Sequence, residues 1–221
     1  MVPILCIVGA SGSGKTTFLE ALIPELARRG YRVGTVKHDV HGFEMDREGK
    51  DSFRHRAAGA KTVALASPAA LAVIRRLDSE MDLREVAARF FFTEDIVIAE
   101  GYKRLPLPKV EVFRRAVEAE PLCGPRDNLL AVVTEDLAEG PGGVPVFGFS
   151  EAARLADLIE ERFLRHREPR RVTVLVDGRP LPMKDFVGDF VAGGVVGMLS
   201  TLRGWEDPEH IVLAIRRRRG T

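Results

Sequence analysis

The sequence predicts an α/β fold, with a mostly parallel β-sheet flanked by helices and a small C-terminal α/β appendage. Short apolar runs alternate with amphipathic helical patterns along most of the chain, an order of elements that is typical of parallel sheets. A glycine-rich loop also stands between the first apolar run and the first helical pattern. With 221 residues and 45% apolar content, the chain is long enough for one full α/β core.

The N-terminal half alternates between strand and helix patterns. In chain order they predict a strand at 3–8, a helix at 15–30, a strand at 31–36, a short helix at 52–60, two strands within 62–74, a helix at 82–91 and a strand at 95–103. The paired strands meet at a turn at Ser67-Pro68, and Asp82 with Glu85 three residues later predicts a capped helix start.

The second half completes the first domain and then changes character. It predicts strands at 109–113, 128–134 and 144–149, and a helix at 151–164 that Ser150 caps. The predicted apolar face of this helix consists of Ala153, Leu155, Leu158, Ile159 and Phe163. The charged run RHREPRR at 165–171 indicates a linker. We therefore assign residues 1–168 to the first domain and 169–221 to an appended module.

The appended module predicts a strand and turn at 172–183, a glycine-rich helix at 184–204 and a last strand at 210–215. Its roughly fifty residues are few for an independent domain. Gly193 and Gly197 lie four residues apart in the helix, a spacing that lets another backbone approach closely. That backbone belongs either to a second subunit or to the first domain, and the sequence leaves both open.

The charge and cysteine content exclude several classes of protein. The formal net charge of +1 gives no overall field for nucleic acid or membrane, and the basic run at 216–220 is typical of a solvated end. Two cysteines, Cys6 and Cys123, do not make a disulfide framework, and Cys6 lies in an apolar run as a small hydrophobe. The longest apolar stretch, from Phe186, is interrupted by Asp189 and too short to span a bilayer. We find no signal peptide and expect a cytoplasmic, soluble protein.

The glycine-rich loop is the strongest functional motif. Gly9, Gly14, Lys15 and Thr16 match the pattern G-x-x-x-x-G-K-[ST], with a strand before it and a helix after it, as in a P-loop. Glycines let backbone N–H groups turn inward around phosphate oxygens, and the helix N-terminus adds its positive dipole end. Lys15 can reach the β- and γ-phosphates, and the Thr16 hydroxyl can bind Mg²⁺. The alternative is a tight turn with an incidental lysine.

A carboxylate for Mg²⁺ is expected at the end of a strand near such a loop. In the run IVIAEG this place is taken by Glu100 instead of the usual aspartate, and Asp95 stands at the wrong end of the strand. The alternative is that Glu100 only faces solvent at a strand end.

The polar segment 37–52 is long and charged, which favours a functional loop over a plain connection. His38, Asp39 and His41 include transition-metal ligand types, but no fourth ligand for zinc is evident. Two alternatives stay open: a charged surface loop, or a loop that contacts phosphate, Mg²⁺ or a phosphorylated partner. The cations for the second are supplied nearby by Lys50, Arg54 and Arg56.

Base recognition has the weakest signal. The guanine-reading tetrapeptide NKxD is absent, but the run VVTED places Asp136 at a strand end. A carboxylate there can accept the N1 and N2 protons of guanine, and a plain strand-to-loop turn fits the run equally well.

Several longer motifs together resemble the molybdopterin-guanine dinucleotide biosynthesis protein B (MobB) family. They are GASGSGKTT, VGTVKHDVHGFEMDREGKDSFRHRAAGA, IVIAEGYK and KVEVFR, and the resemblance extends from about Pro3 to Leu164. The P-loop alone is generic. The more specific combination consists of Lys37-His38, the run Asp46 to Ser52, Ala58-Gly59-Ala60 and Glu100-Gly101-Tyr102-Lys103.

The resemblance implies a homodimeric GTP-binding protein with slow, Mg²⁺-dependent GTPase activity. Such a protein works beside the guanylyltransferase (MobA) that joins GMP to molybdopterin, and molybdopterin is a further candidate ligand. By position, the phosphates would be held by Gly12, Ser13, Gly14, Lys15, Thr16 and Thr17. Thr16 and Glu100 would serve the metal, and the stretch from Asp46 to Ser52 would form a polar loop facing the nucleotide or partner. Asp39 and Asp46 in the neighbouring loop are the competing metal carboxylates, and the candidate catalytic residues are Lys15 and Glu100.

Two other functions stay open at this stage. One is a P-loop kinase of a small metabolite, although the sequence has no evident arginine-rich lid. The other is a GTP-dependent scaffold that delivers nucleotide or pterin and scarcely hydrolyses it. No general base stands beside the P-loop and only Arg54 and Arg56 are candidate arginine fingers, so we expect slow hydrolysis.

Overall fold

The computed structural model describes residues 2–39, 42–43, 46–165, 172–208 and 210–215. The chain divides into two compact units, Met1–Arg167 and Glu168–Thr221. The basic run at 216–220 and most of the linker at 165–171 lie outside the described residues. The interpretations of these two segments therefore stay predictions.

The first unit contains a six-stranded, wholly parallel sheet in the order β2-β5-β1-β6-β7-β8. The strands of this sheet are β1 (Ile4–Val8), β2 (Val33–Lys37), β5 (Ile96–Glu100), β6 (Lys109–Val112), β7 (Leu129–Val133) and β8 (Val146–Phe147). The helices of the unit are α1 (Lys15–Arg28), α2 (Asp51–Ala57), α3 (Leu83–Phe90) and α4 (Ala152–Ile159), which continues as a π-helical turn at Glu160–Leu164. The predicted parallel α/β architecture is confirmed.

The core lies on both faces of the sheet because the central strand β1 is buried throughout. On one face, Leu5 and Ile7 pack with Phe18 and Leu22 of α1 and with Leu155 of α4. The opposite face is covered by α3 and by the connections around it. Two layers of helices therefore enclose the strand that carries the P-loop at its carboxyl end.

Both cysteines belong to the core on the second face of the sheet and are free and buried, as predicted for Cys6. Burial raises the pKa of the Cys6 thiol to about 11 and that of Cys123 to about 12. At neutral pH both thiols stay protonated and behave as small hydrophobic groups.

The two predicted strands around Ser67-Pro68 form an antiparallel hairpin, β3 (Thr62–Ala66) and β4 (Leu71–Arg75), separate from the main sheet. The Ser67 hydroxyl accepts a hydrogen bond from the N–H of Ala70 at 3.0 Å and fixes the turn. One face of the hairpin carries Leu71, which is 70% exposed, and Val73, which is 51% exposed. This exposed apolar face consists of Ala64, Ala66, Leu71 and Val73, and is called the hairpin face below.

The helices α3 and α4 differ in whether the predicted residue caps them. Asp82 caps α3 as predicted, because its carboxylate accepts from the N–H of Arg84 at 2.8 Å. The prediction that Ser150 caps α4 is wrong. The cap position belongs to Glu151, whose carboxylate accepts from the N–H of Gly148 at 2.8 Å. The predicted apolar face is otherwise confirmed, since Leu155 and Ile159 are buried and Leu158 and Phe163 pack against the core. Only Ala153 of that face is exposed, and Ala152 is buried instead.

The C-terminal end of α1 is fastened to α4 by a group of paired charges. The Arg29 guanidinium donates to Glu25 at 2.8 Å, to Asp157 at 2.7 Å and to Glu160 at 2.9 Å. The Tyr31 hydroxyl donates to Glu160 at 3.0 Å. Hydrogen bonds from Arg28 and Arg29 lower the pKa of Glu25 to about 2, and those from Arg29 and Tyr31 lower the pKa of Glu160.

The second unit contains a two-stranded antiparallel ribbon, β9 (Leu175–Val176) and β10 (Arg179–Pro180), and helix α5 (Asp185–Leu199). The predicted strand at 210–215 is wrong, because these described residues form no ladder and stay mostly exposed. No residue of α5 is buried, and Phe190 is 81% exposed. Within the described residues, side chains added at Gly193 or Gly197 would meet open space, and no described helix is long and apolar enough to cross a membrane.

Candidate functional site

The P-loop joins β1 to α1 and is shaped by glycines at two close approaches. At Gly9, with φ of +142°, an added Cβ would lie 2.3 Å from the carbonyl oxygen of Val112. At Gly14, which has φ of +97° and precedes α1, it would lie 3.0 Å from the ring of Phe149 and 3.3 Å from the Arg114 guanidinium. Glycine is therefore required at both positions of the motif.

Lys15, the first residue of α1, folds its side chain back over the loop. Its ammonium donates to the carbonyl oxygens of Gly9 at 3.1 Å and Ala10 at 2.7 Å. Within the described part of the chain it forms no salt bridge. An ammonium held by neutral carbonyls keeps its full charge available to an anion at the loop.

Thr16 and Glu100 lie opposite each other, as the sequence predicts for a metal pair. The Thr16 hydroxyl oxygen is 3.5 Å from both carboxylate oxygens of Glu100, which is at the outer limit for an O–H···O bond. The pair brings together a hydroxyl and a carboxylate, which are hard oxygen ligands of the kind that Mg²⁺ binds together with waters and phosphate oxygens. This donor set fits Mg²⁺.

A cavity of about 1020 Å³ opens beside this pair, on the β5 side of the loop. It is lined by Gly9, Ser11 and Lys15 of the P-loop, by Glu100 at the end of β5, and by residues that follow β2 and β5. The hydrogen bond of 3.0 Å from the N–H of His38 to the carbonyl of Glu100 keeps the ends of β2 and β5 together.

His38 takes part in an aromatic stack on the wall of this cavity. Its ring lies 4.4 Å from that of Tyr102, and its Nε2 is 2.9 Å from a carboxylate oxygen of Glu80. Burial raises the pKa of Tyr102. Of the candidate zinc ligands, His38 and Asp39 line the cavity and His41 lies outside the described residues. Among the described residues, no three His, Cys, Asp or Glu side chains form a metal-binding group.

Asp46, the further metal carboxylate of the sequence prediction, is held within its own segment. Its carboxylate accepts from the Ser52 hydroxyl at 2.7 Å and lies 3.5 Å from Nε of Arg56. It does not line the cavity that Lys15 and Glu100 share. The structure therefore brings Thr16 and Glu100 together, and it places Asp46 with α2 instead.

The candidate arginine fingers lie on α2. Arg56 faces Asp46, and Arg54 is 3.5 Å from Asp51 in an exposed pair. Neither arginine lines the cavity.

Asp136, the candidate base reader, forms a strand-to-loop turn. Its carboxylate accepts from the N–H of Arg115 at 2.8 Å, and its own N–H donates to the Thr134 hydroxyl at 3.0 Å. The neighbouring Glu135 accepts from the N–H of Phe149 at 2.9 Å. The carboxylates after β7 therefore hold the loops after β6 and β8, and base reading by Asp136 stays a prediction.

Sequence reasoning missed an arginine that lies beside the P-loop. The guanidinium carbon of Arg114 is 4.4 Å from the centre of the Phe149 ring, beside Gly14. A signal for it was present, because Arg114 follows β6 at the carboxyl edge of the sheet. The same rule selected Glu100 after β5.

Comparisons with known proteins identify the family and the fold. The model of the family described as Molybdopterin guanine dinucleotide synthesis protein B matches residues 4–135. The molybdopterin-guanine dinucleotide biosynthesis adapter protein of Haemophilus influenzae is 42% identical over 60% of this chain and 75% of its own. That of Escherichia coli is 33% identical over 73% and 93%. The crystal structure of Bacillus subtilis MobB is 30% identical, covers 73% of this chain and 98% of its own, and has a TM-score of 0.58.

Proposed function

The chain belongs to the molybdopterin guanine dinucleotide synthesis protein B family of molybdenum cofactor biosynthesis, and from this premise we propose that it is a GTP-binding adapter. It binds GTP with Mg²⁺ at the P-loop and assists a guanylyltransferase of the MobA kind in joining GMP to molybdopterin. The guanylyltransferase forms the bond, and this protein delivers GTP to that enzyme or helps the enzyme to use it.

The observation that carries this proposal is the arrangement of Lys15, Thr16 and Glu100 around one loop. Lys15 supplies a cation without a carboxylate partner among the described residues, at the N-terminal end of α1. Thr16 and Glu100 supply oxygen ligands 3.5 Å apart. Phosphate oxygens and Mg²⁺ are the ligands that such a set binds. When bound, Mg²⁺ would neutralise charge on the β- and γ-phosphates.

Hydrolysis by the isolated protein is slow in this proposal. Arg54 and Arg56 have acidic partners on or near α2 and do not line the cavity beside Glu100. An arginine delivered to the γ-phosphate is worth about 10³–10⁵ in rate. Faster turnover therefore requires a group from a second subunit or from the guanylyltransferase.

The proposed function is tested by nucleotide preference and by reconstitution. GTP with Mg²⁺ should raise the melting temperature more than ATP does. At limiting GTP, the protein should raise the yield of molybdopterin guanine dinucleotide from a molybdopterin guanylyltransferase, and the Lys15→Ala variant should not. Fast phosphate transfer from ATP to a small metabolite, with no stimulation of guanylation, would assign the protein to the P-loop kinases instead.

We further propose a homodimer in which the hairpin face meets a second copy of the chain. This face places Leu71 and Val73 side by side in solvent, on a ribbon outside the main sheet. In sedimentation velocity, Val73→Asp should convert the full chain to a monomer at micromolar concentration. Gly197→Leu on α5 is the comparison. If only that variant dissociates, the appended module is the dimer contact.

A further inference from the structure

We propose that Arg114 binds the phosphate chain of the nucleotide, at the α/β-phosphates and on the side of the P-loop opposite Thr16 and Glu100. Phe149 holds the guanidinium in place for this contact. The inference rests on the proposed nucleotide-binding function and adds a cation from outside the sequence motif.

Sheet topology places Arg114 and Glu100 on opposite sides of the loop. β1 pairs with β5 on one side and with β6 on the other, and all three strands are parallel. Glu100 ends β5, and Arg114 comes two residues after β6. The carboxyl ends of these strands meet at one edge of the sheet, so the loop after β1 has the acidic residue on one flank and the arginine on the other.

The position of Arg114 conflicts with the dipole of α1 unless an anion is present. A Cβ added at Gly14, the residue that precedes the first turn of α1, would lie 3.3 Å from the Arg114 guanidinium. A helix favours anions at this end and cations at the other. The first turn of α1 contains no acidic residue, and the Arg114 side chain forms no salt bridge or hydrogen bond with the described residues. A bound phosphate would remove this conflict.

The side chains around Arg114 fix the position of its guanidinium before a ligand binds. Its guanidinium stacks on Phe149 at 4.4 Å, in the range of a cation–π contact. Phe149 packs edge-on against Phe18 of α1 at 6.3 Å, and its N–H donates to Glu135 at 2.9 Å. A guanidinium placed in advance loses little side-chain entropy when it binds a phosphate.

The position beside Gly14 selects the part of the nucleotide that is contacted. Backbone N–H groups of a P-loop cradle the α- and β-phosphates, whereas the lysine and the metal act on the β- and γ-phosphates. Thr16 and Glu100 form the metal side here. Arg114 therefore acts on the phosphates that GDP and GTP share, and the base has no part in the contact.

The test compares Arg114→Ala with Arg115→Ala by titration calorimetry in the presence of Mg²⁺. Arg115 is the matched control because it is the next residue, is also exposed, and contributes its backbone N–H to the turn with Asp136. The probes are GTP, GDP and inorganic tripolyphosphate. Loss of one charge-assisted contact should weaken all three by about tenfold in the first variant, with no change in the second.

Two more variants keep the test independent of folding. Arg114→Lys should recover part of the phosphate affinity that Arg114→Ala loses, and Phe149→Leu should lose part of it. The melting temperature of Arg114→Ala should equal that of the native chain. Equal affinities in Arg114→Ala and Arg115→Ala would overturn the inference, as would a loss for GTP alone or a loss for nucleotides without one for tripolyphosphate. If the native chain binds no GTP, the proposed function itself fails.

Discussion

The two ends of helix α1 carry charge in opposite ways. At its C-terminal end, Arg29 is shared by Glu25, Asp157 and Glu160, and every group has a partner of opposite sign. At its N-terminal end, Lys15 and Arg114 form no salt bridge with the described residues. The helix dipole favours the cations of the first end and opposes those of the second.

The difference separates stability from binding on a single helix. Charges that are paired in the folded chain lower its free energy and have little left to offer a ligand. Charges held without partners cost stability and bind an anion more strongly, which is the usual relation between a functional site and its scaffold. Substitutions at the two ends should therefore change different measurements.

Lys15→Ala should cause the largest loss of GTP affinity and should separate binding from stability most clearly. Removal of the ammonium should weaken GTP binding by about 100-fold, since charge-assisted contacts to phosphate are lost. The melting temperature should stay within a degree or two of the native value, because only two neutral carbonyls lose a donor and no charged partner is left unpaired. Calorimetry and thermal unfolding measure the two quantities. Lys61→Ala, in an exposed pair with Asp78, is the control.

Glu100→Gln should act on hydrolysis more than on affinity. A carboxylate that serves Mg²⁺ matters most when charge moves to the leaving phosphate, so we expect a fall in turnover of roughly tenfold or more with a small change in GTP affinity. Phosphate release under single-turnover conditions is the measurement. If Asp46→Asn abolishes hydrolysis and Glu100→Gln does not, the metal carboxylate is Asp46, the one held by α2.

Thr16→Ala should reveal the metal through its dependence on Mg²⁺. The hydroxyl faces Glu100 and not the loop amides, so its loss should weaken GTP binding by about tenfold with Mg²⁺ and hardly at all with a chelator. Titrations with and without Mg²⁺ make the comparison. Equal losses in both would contradict a role as metal ligand.

Arg29→Met should have the smallest effect of these variants, and it should change stability instead of binding. It should lower the melting temperature by about 2–4 °C at neutral pH and leave GTP affinity unchanged. Arg28 and Arg29 together lower the folded-state pKa of Glu25 from 4.5 to about 2, so their stabilisation is present above pH 4.5 and is lost as the pH falls towards 2. The variant removes only the share that Arg29 contributes. Thermal scans across that window should show native and variant chains converging. A variant that loses GTP binding instead would break the comparison.

Local sequence patterns correctly predicted those elements whose structure is determined by residues close to one another in the sequence. The P-loop, the Asp82 cap and the hairpin turn at Ser67 depend on neighbours within a few residues, and all three elements form where the sequence places them. The run at 210–215 has the composition of a strand but pairs with no described strand, because pairing depends on what lies beside it.

The site residues also divide into those that the sequence predicts and those whose contacts depend on the fold. Glu100 was found because a P-loop calls for a carboxylate at a strand end, and the structure brings it to Thr16. Arg114 was missed because its importance depends on the contact with Gly14, which requires β6 to be the neighbour of β1. Asp46 contacts Ser52 and Arg56 in the structure, and its role as a metal carboxylate stays a prediction. Nothing in the spacing of these residues reveals those partners.

The central place of β1 in the sheet sets a condition on how the chain is made. β1 is made before the other strands of this sheet, yet its neighbours β5 and β6 end only at Glu100 and Val112. At about 5–20 residues per second, a fully apolar strand waits roughly 5–20 s before either edge is covered. During that interval Ile4–Val8 is an uncovered apolar segment, and the P-loop has no paired strand to extend from.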